Sequence, residues 1–241
     1  MIDKIIILGD FNPIHSTLHL LNDSTRQVQK YLNREIQFDW ISTDIFDAKV
    51  VFENKGYKGL WIAPGSPYRD MQNVINAIEY TRKNNIPTFG NCGGFQHMII
   101  EFAKNICKIE KADHEETNPK SSDLLIKRLA CSLKGEQENL TLINKKSLLY
   151  QTIKADKILG KYYCSFGINS KYVDILAKHG LIFTSKSEEG EFRSFEIKNH
   201  PFFIGTLFQP ALTSTKENPN PLIIEFIKKS LKIATTNMGY D

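Results

Sequence analysis

The sequence predicts an α/β protein with a mostly parallel central sheet, helices on both faces and an antiparallel elaboration in its second half. Two observations carry this reading. Through residue 105, short apolar runs alternate with segments of helical period, and the runs end in turns rich in Gly, Pro or Asn. Beyond residue 108 the pattern changes, and strand-like runs follow one another with fewer helical segments between them.

Lys4–Leu8 is a continuous apolar run of the kind buried on both faces of a parallel sheet, and it ends at Gly9-Asp10. A helix is predicted from Thr17 to Leu32, where Leu18, Leu21, Thr25, Val28 and Leu32 recur at helical spacing. Ile36–Ile41 and Gly59–Ala63 read as strands, the second ending in Pro64-Gly65-Ser66-Pro67. A helix over Met71–Lys83 leads to a short strand that stops at Gly90. In such a sheet the loops at the carboxyl ends of the strands build the site, so Asp10–His15, Gly65–Arg69 and Cys92–Gly94 are expected along one edge.

In the second half, Lys108–Lys120 reads as a polar loop, and Leu129–Leu133 and Asn139–Ile143 as paired strands around Gly135. Lys161–Phe166 reads as extended and Lys171–Lys178 as helical. Strands are expected at Leu181–Ser185, Phe192–Ile197 and Phe203–Leu207, before a helix over Pro221–Lys232 with proline in its first turn. No internal repeat or linker divides the chain, so residues 1–241 are expected to form one domain.

Composition excludes several classes. The net charge of +4 comes from scattered lysines, with no basic stripe interleaved with aromatics, so no nucleic-acid partner is expected. No apolar run approaches the ~18 residues of a membrane span. The N-terminus passes directly into a core strand, and cysteines 92, 107, 131 and 164 show no metal-binding spacing. A reduced cytoplasmic protein without metal or cofactor is the expectation.

Ile86–Phe102 is where the chemistry concentrates. A strand ending at Gly90 runs into Cys92 and two glycines. Phe95, Met98, Ile99 and Phe102 then mark one face of a helix. Cys92 is thus placed on a tight strand-to-helix turn, where unpaired N–H groups and the helix dipole favour a thiolate. Gly93, beside the sulfur, offers an N–H for an oxyanion.

With these residues in view, the chain resembles the class I glutamine amidotransferases, most closely the glutaminase domain of CTP synthase. The resemblance rests on Gly9, Pro64-Gly65 with Tyr68-Arg69, and Gly90-Asn91-Cys92-Gly93-Gly94-Phe95-Gln96. It continues through Ile100–Asn105, Asn199-His200-Pro201-Phe202-Phe203 and Phe208-Gln209-Pro210. It implies the three-layer flavodoxin-like fold of that family. It also implies a Cys92 nucleophile that forms a thioester, and an oxyanion hole from Gly65, Ser66 and Gly93. Gln96 and Glu116 match substrate-holding positions, and Arg69 is a further candidate for substrate binding.

The resemblance breaks at the His-Pro-Glu segment of the family, which here reads Gln209-Pro210-Ala211. A glutamine amide cannot accept a proton from a thiol, and an alanine cannot orient an imidazole. The family's carboxylate-binding arginine is replaced by Ser165, beside Cys164. Three readings follow. Cys92 acts with another base, His114 first and His15 or His19 after it; or the protein binds without turnover; or the substrate is an amide-type small molecule other than glutamine. The sequence carries no Gly-x-x-x-x-Gly-Lys-Ser/Thr loop, so this chain is not expected to make CTP alone. Any released ammonia would need a separate synthetase or other acceptor partner.

Overall fold

The computed structural model describes residues 2–233. In chain order the elements are β1 (Asp3–Leu8), α1 (Ser16–Leu32), β2 (Ile36–Ile41), α2 (Ala48–Asn54), β3 (Tyr57–Ile62), α3 (Met71–Lys83), β4 (Thr88–Asn91) and α4 (Gly93–Asn105). Next come β5 (Ala112–His114), β6 (Asp123–Arg128), β7 (Gln137–Leu142), α5 (Leu148–Ile153), β8 (Lys157–Lys161), β9 (Phe166–Ile168) and α6 (Val173–Lys178). The series closes with β10 (Leu181–Lys186), β11 (Phe192–Ile197), β12 (Phe203–Thr206) and α7 (Pro221–Leu231).

The main sheet runs β2-β1-β3-β4-β12-β11-β10-β7-β8, and β5, β6 and β9 form a second, small sheet. From β2 to β12 every pairing is parallel. From β12 outward the pairs are antiparallel. The expected architecture is therefore present: a parallel core with an antiparallel extension.

Ile5, Ile6, Ile7 and Leu8 are all buried, as a strand covered on both faces requires. Beneath the site, the Trp61 indole donates to Asn91 Oδ1 (2.7 Å), and Asn91 Nδ2 donates to Thr206 Oγ1 (2.8 Å). This buried chain of hydrogen bonds ties together the carboxyl ends of β3, β4 and β12. Arg82 on α3 makes a two-pronged contact with the fully buried Glu101 of α4, Nε to Oε2 at 2.9 Å and a terminal nitrogen to Oε1 at 2.6 Å.

The structure departs from expectation mainly in its second half. The strand expected at Leu129–Leu133 lies earlier, at Asp123–Arg128, where Leu125 and Ile126 are fully buried. It pairs with β5 and β9, while β7 pairs with β8 and β10. Residues 129–135 instead run irregularly beside the segment after β8: the N–H groups of Leu129, Leu133 and Gly135 donate to the carbonyls of Ser165, Cys164 and Tyr162. The extended stretch at Lys161–Phe166 is accordingly split between the end of β8 and the start of β9. The polar loop Lys108–Lys120 contains β5, and two short helices, α2 and α5, had no clear periodic signal.

Candidate active site

Cys92 follows β4 and caps α4 with φ 52° and ψ −108°, a conformation costly for a non-glycine residue. Backbone contacts hold it there. Its N–H donates to the Thr206 carbonyl at 2.9 Å, and its own carbonyl accepts from Gln96 N–H at 3.1 Å. Gly93 has to be glycine, because a Cβ there would collide with the Gly65 carbonyl oxygen. The 65–69 loop is fixed against this turn by Tyr68 Oη donating to the Ala63 carbonyl (2.6 Å) and Arg69 N–H donating to Asp10 (2.8 Å).

The sulfur sits in surroundings that favour its anion. The Cys92 thiol donates weakly to the Tyr163 carbonyl at 3.9 Å. The neighbouring Cys164 thiol is the largest influence lowering its pKa, and the N–H groups of Gly93 and Gly65 act in the same direction. Burial and the charge of Glu116 oppose them, and the net direction is down. Cys164 responds in the opposite sense: the neighbouring Cys92, then burial, hold its pKa well above the ordinary thiol value. The two thiols titrate as a pair in which Cys92 is the more acidic partner.

Both sulfurs face a cavity of about 770 Å³ at the carboxyl ends of the parallel strands. Its wall brings together the predicted residues Gly65, Ser66, Arg69, Cys92, Gln96 and Glu116, together with Gln209. Gly93 borders the sulfur through its N–H. Glu116 accepts from Ser66 Oγ at 2.9 Å. Gln96, almost fully buried, donates through Nε2 to the Phe166 carbonyl at 2.9 Å. Arg69 stands exposed at the rim, its guanidinium 3.7 Å from Asp44.

His114 is not where the base was expected. It does not line the cavity; it lies behind Gln96 with both ring nitrogens engaged. Nδ1 accepts from Glu116 N–H at 3.0 Å, which leaves the proton on Nε2 to donate to Gln96 Oε1 at 3.2 Å. Burial and the neighbouring His97 push its pKa down to about 3. It is a neutral brace for two site residues, with no free lone pair for a thiol proton. His97, also buried and near pKa 4, hydrogen-bonds the Gly93 carbonyl. His19 bonds the Pro13 carbonyl, and of the imidazoles among the described residues only that of His15 lines the cavity, at its exposed mouth.

Sequence reasoning missed the role of Cys164 and two cations on the wall, Arg128 and Lys134. Arg128 projects from the end of β6 with its guanidinium 4.8 Å from the Phe166 ring centroid. Ser165 also lines the cavity, its hydroxyl paired with Ser132 at 2.9 Å. No local spacing announces these contacts, which form only when the 129–135 and 162–165 segments run side by side. Among the described residues, no cluster of three or more His, Cys, Asp or Glu side chains is arranged to hold a metal ion. No helix among them is long and apolar enough to cross a membrane.

Comparison with known proteins supplies the family. The family described as Glutamine amidotransferase class-I matches residues 20–229. The chain belongs to the class I glutamine amidotransferases. It is 30% identical to a CTP synthase of Cytophaga hutchinsonii over 80% of this chain and 38% of that protein. It is 26% identical to a CTP synthase of Nautilia profundicola over 95% of this chain and 46% of the relative. The chain thus spans less than half the length of these relatives. The glutaminase domain of Trypanosoma brucei CTPS, solved with bound acivicin, superposes with a TM-score of 0.85 at 20% identity, covering 97% of this chain and 96% of that one. A Thermotoga maritima glutamine amidotransferase superposes at 0.58 with 11% identity, covering 96% of this chain and 99% of that one.

Gln209 lines the same cavity as Cys92. It is 2% exposed, and its Oε1 has no hydrogen-bond partner. Ala211 lies buried in the following 3₁₀ turn, away from the cavity. The cavity wall therefore offers a buried, unpaired acceptor at Gln209 Oε1.

Proposed function

We propose that this amidotransferase family member opens an amide-type bond of a small anionic substrate through a thioester on Cys92. The observation that carries this reading is the Cys92 turn, with its sulfur held as the more acidic partner of a thiol pair. A thiolate that is already stabilised needs no imidazole to become nucleophilic. The N–H groups of Gly65 and Gly93, which help to lower the Cys92 pKa, would receive the oxyanion as the carbonyl is attacked, beside Ser66.

In this scheme Cys164 takes the proton-carrying role. It gives its proton to the departing amine, and the Arg193 charge, which pulls its pKa down, favours the resulting thiolate. Once Cys92 is acylated, its negative charge is gone and no longer holds Cys164 protonated. The Cys164 thiolate then accepts a proton from the water that hydrolyses the thioester. Gln96 and Glu116 hold polar groups of the substrate, with Arg69 at the rim. Arg128 and Lys134 supply positive charge for an anionic end in the absence of an arginine at Ser165.

Two other readings each rest on a specific observation. Gln209, with an unpaired Oε1 that receives a ligand N–H but relays no proton, fits a binding protein without turnover. The likeness to CTP synthases fits a glutaminase that passes ammonia to a separate synthetase partner. Ammonia release from glutamine and from a panel of small amides separates the three, alongside iodoacetamide labelling of Cys92 against pH. The proposal expects half-maximal labelling below the unperturbed thiol value of ~8.5 and turnover of at least one amide. Labelling that follows an ordinary thiol, with no amide cleaved, hands the site to the binding reading.

A further inference from the structure

We infer that Cys92 and Cys164 also form a redox-active dithiol that reduces small hydroperoxides and closes to an intramolecular disulfide. This inference stands independently of amide turnover. The two thiols come from separate parts of the chain, one on the β4–α4 turn and one between β8 and β9, and the fold brings both to the wall of one cavity. Both are nearly buried, at 6% and 5% exposure, yet both face the same cavity. The other two cysteines differ: Cys107 lies off the cavity and Cys131 is exposed.

The segment carrying Cys164 fits the geometry of closure. Cys92 Sγ lies 3.9 Å from the carbonyl oxygen of Tyr163, the residue before Cys164. Residues 162–165 belong to no strand or helix, and the carbonyls of Ser165, Cys164 and Tyr162 are held by the N–H groups of Leu129, Leu133 and Gly135, so closure turns on the two cysteine side chains. The sulfurs sit on the wall of a small-molecule-sized cavity, out of reach of a disulfide on a folded protein. The oxidant is therefore a small one, a hydroperoxide.

The chemistry uses Cys92 as its thiolate and the proton of Cys164. The Cys92 thiolate attacks the terminal oxygen of R–O–O–H. A sulfur–oxygen bond forms, the oxygen–oxygen bond breaks, and the departing alkoxide takes the Cys164 proton to leave as an alcohol, or as water when R is hydrogen. Cys92 is now a sulfenic acid and Cys164 a thiolate. Attack of Cys164 on the Cys92 sulfur forms the disulfide and expels hydroxide, which solvent protonates to water. Two electrons pass from the two thiols to the peroxide, and a low-molecular-weight dithiol such as dithiothreitol returns them.

The test treats the reduced protein with one equivalent of hydrogen peroxide, then alkylates under denaturing conditions and measures intact mass and linked peptides. The expected product has two of its four thiols protected as a Cys92–Cys164 disulfide, and dithiothreitol restores both. Cys92 is expected to oxidise at least ~10-fold faster than the exposed Cys131, as thiolate character dictates. In Cys164→Ser the reaction should stop at a Cys92 sulfenic acid that dimedone traps, with an unchanged melting temperature showing that the fold survives. If that variant melts early, Cys164→Ala with the same readout replaces it. The inference is overturned if Cys92 and Cys164 both remain free while Cys131 oxidises. It is equally overturned if Cys92 passes to the sulfinic acid in wild-type protein with no linked peptide.

Discussion

At the scale of single residues, the behaviour of Cys92 is set by a neighbour far away in sequence. The Cys164 thiol is the leading cause of its lowered pKa, ahead of the two backbone N–H groups. Cys164→Ser should therefore raise the pH of half-maximal iodoacetamide labelling at Cys92. It should also cut amide turnover by ~100-fold or more, the usual scale for losing a positioned acid–base group. His114→Ala separates positioning from chemistry. The labelling profile of Cys92 should be unaltered, because His114 never touches the sulfur. KM should rise as Gln96 Oε1 and the Glu116 N–H lose their partner. A labelling profile shifted by His114→Ala would return that residue to the role of base. The Cys92 turn was legible in the sequence, because glycines flank it and a helical period starts directly after it. Its thiol partner was not, because the contact is tertiary and no motif spacing encodes it. His114 misled for a related reason: loop polarity implies an exposed imidazole, and the fold buries it with both nitrogens used.

At the scale of elements, the first half was legible because its periods are strong and its core is continuous. The run Ile5–Leu8 and the α4 face Phe95, Met98, Ile99 and Phe102 are all buried as their spacing requires. In the second half, two leucine-bearing runs compete, and Leu125 with Ile126 wins the buried strand over Leu129 with Leu133, a choice made by packing under the small sheet. What keeps α4 at the angle that presents Cys92 is its seam with α3. There Glu101 is fully buried and held by Arg82, and Asn105 Nδ2 adds a bond at 2.9 Å. Removing the carboxylate leaves a guanidinium 11% exposed without a counterion. Glu101→Ala is thus expected to cost about 3–5 kcal/mol in urea unfolding, the range for breaking one side of a buried pair. Glu101→Ala together with Arg82→Met should recover part of that loss by removing the orphaned charge. Equal destabilisation in the single and double variants would mean that the seam is held by packing alone.

At the scale of the whole molecule, the site joins the carboxyl edge of the parallel sheet to segments of the second half, so its integrity follows global stability. Two histidines at this junction give that stability a pH dependence. His97 on α4 and His114 on β5 lie with ring centroids 6.1 Å apart, both buried, with pKa values pushed down to about 4 and about 3. Unfolded, each titrates near ~6.5. Their folded pKa values are lower, so the unfolded chain binds protons first as the pH falls. The stability is fully present above pH ~6.5 and drains away as the pH drops toward 4. By pH 5 the loss amounts to about 2 kcal/mol for each histidine, given those folded values. Asp10, held low by Ser42, the Arg69 N–H and Thr43 against the effect of burial, adds a loss in the same direction only below pH ~4. Glu196, held high by burial, works the other way, giving a small gain in stability as the pH falls through the carboxylate range. Urea unfolding at pH 7 and pH 5 measures the sum, to which His200, also lowered by burial, adds in the same direction, and His97→Phe with His114→Gln isolates the part due to these two. Gln at position 114 retains an acceptor and a donor but has nothing to titrate. The double variant should show a much smaller difference between the two pH values than the wild type. A wild type equally stable at both would mean that these imidazoles charge without cost, and that the buried junction beneath Cys92 opens to water.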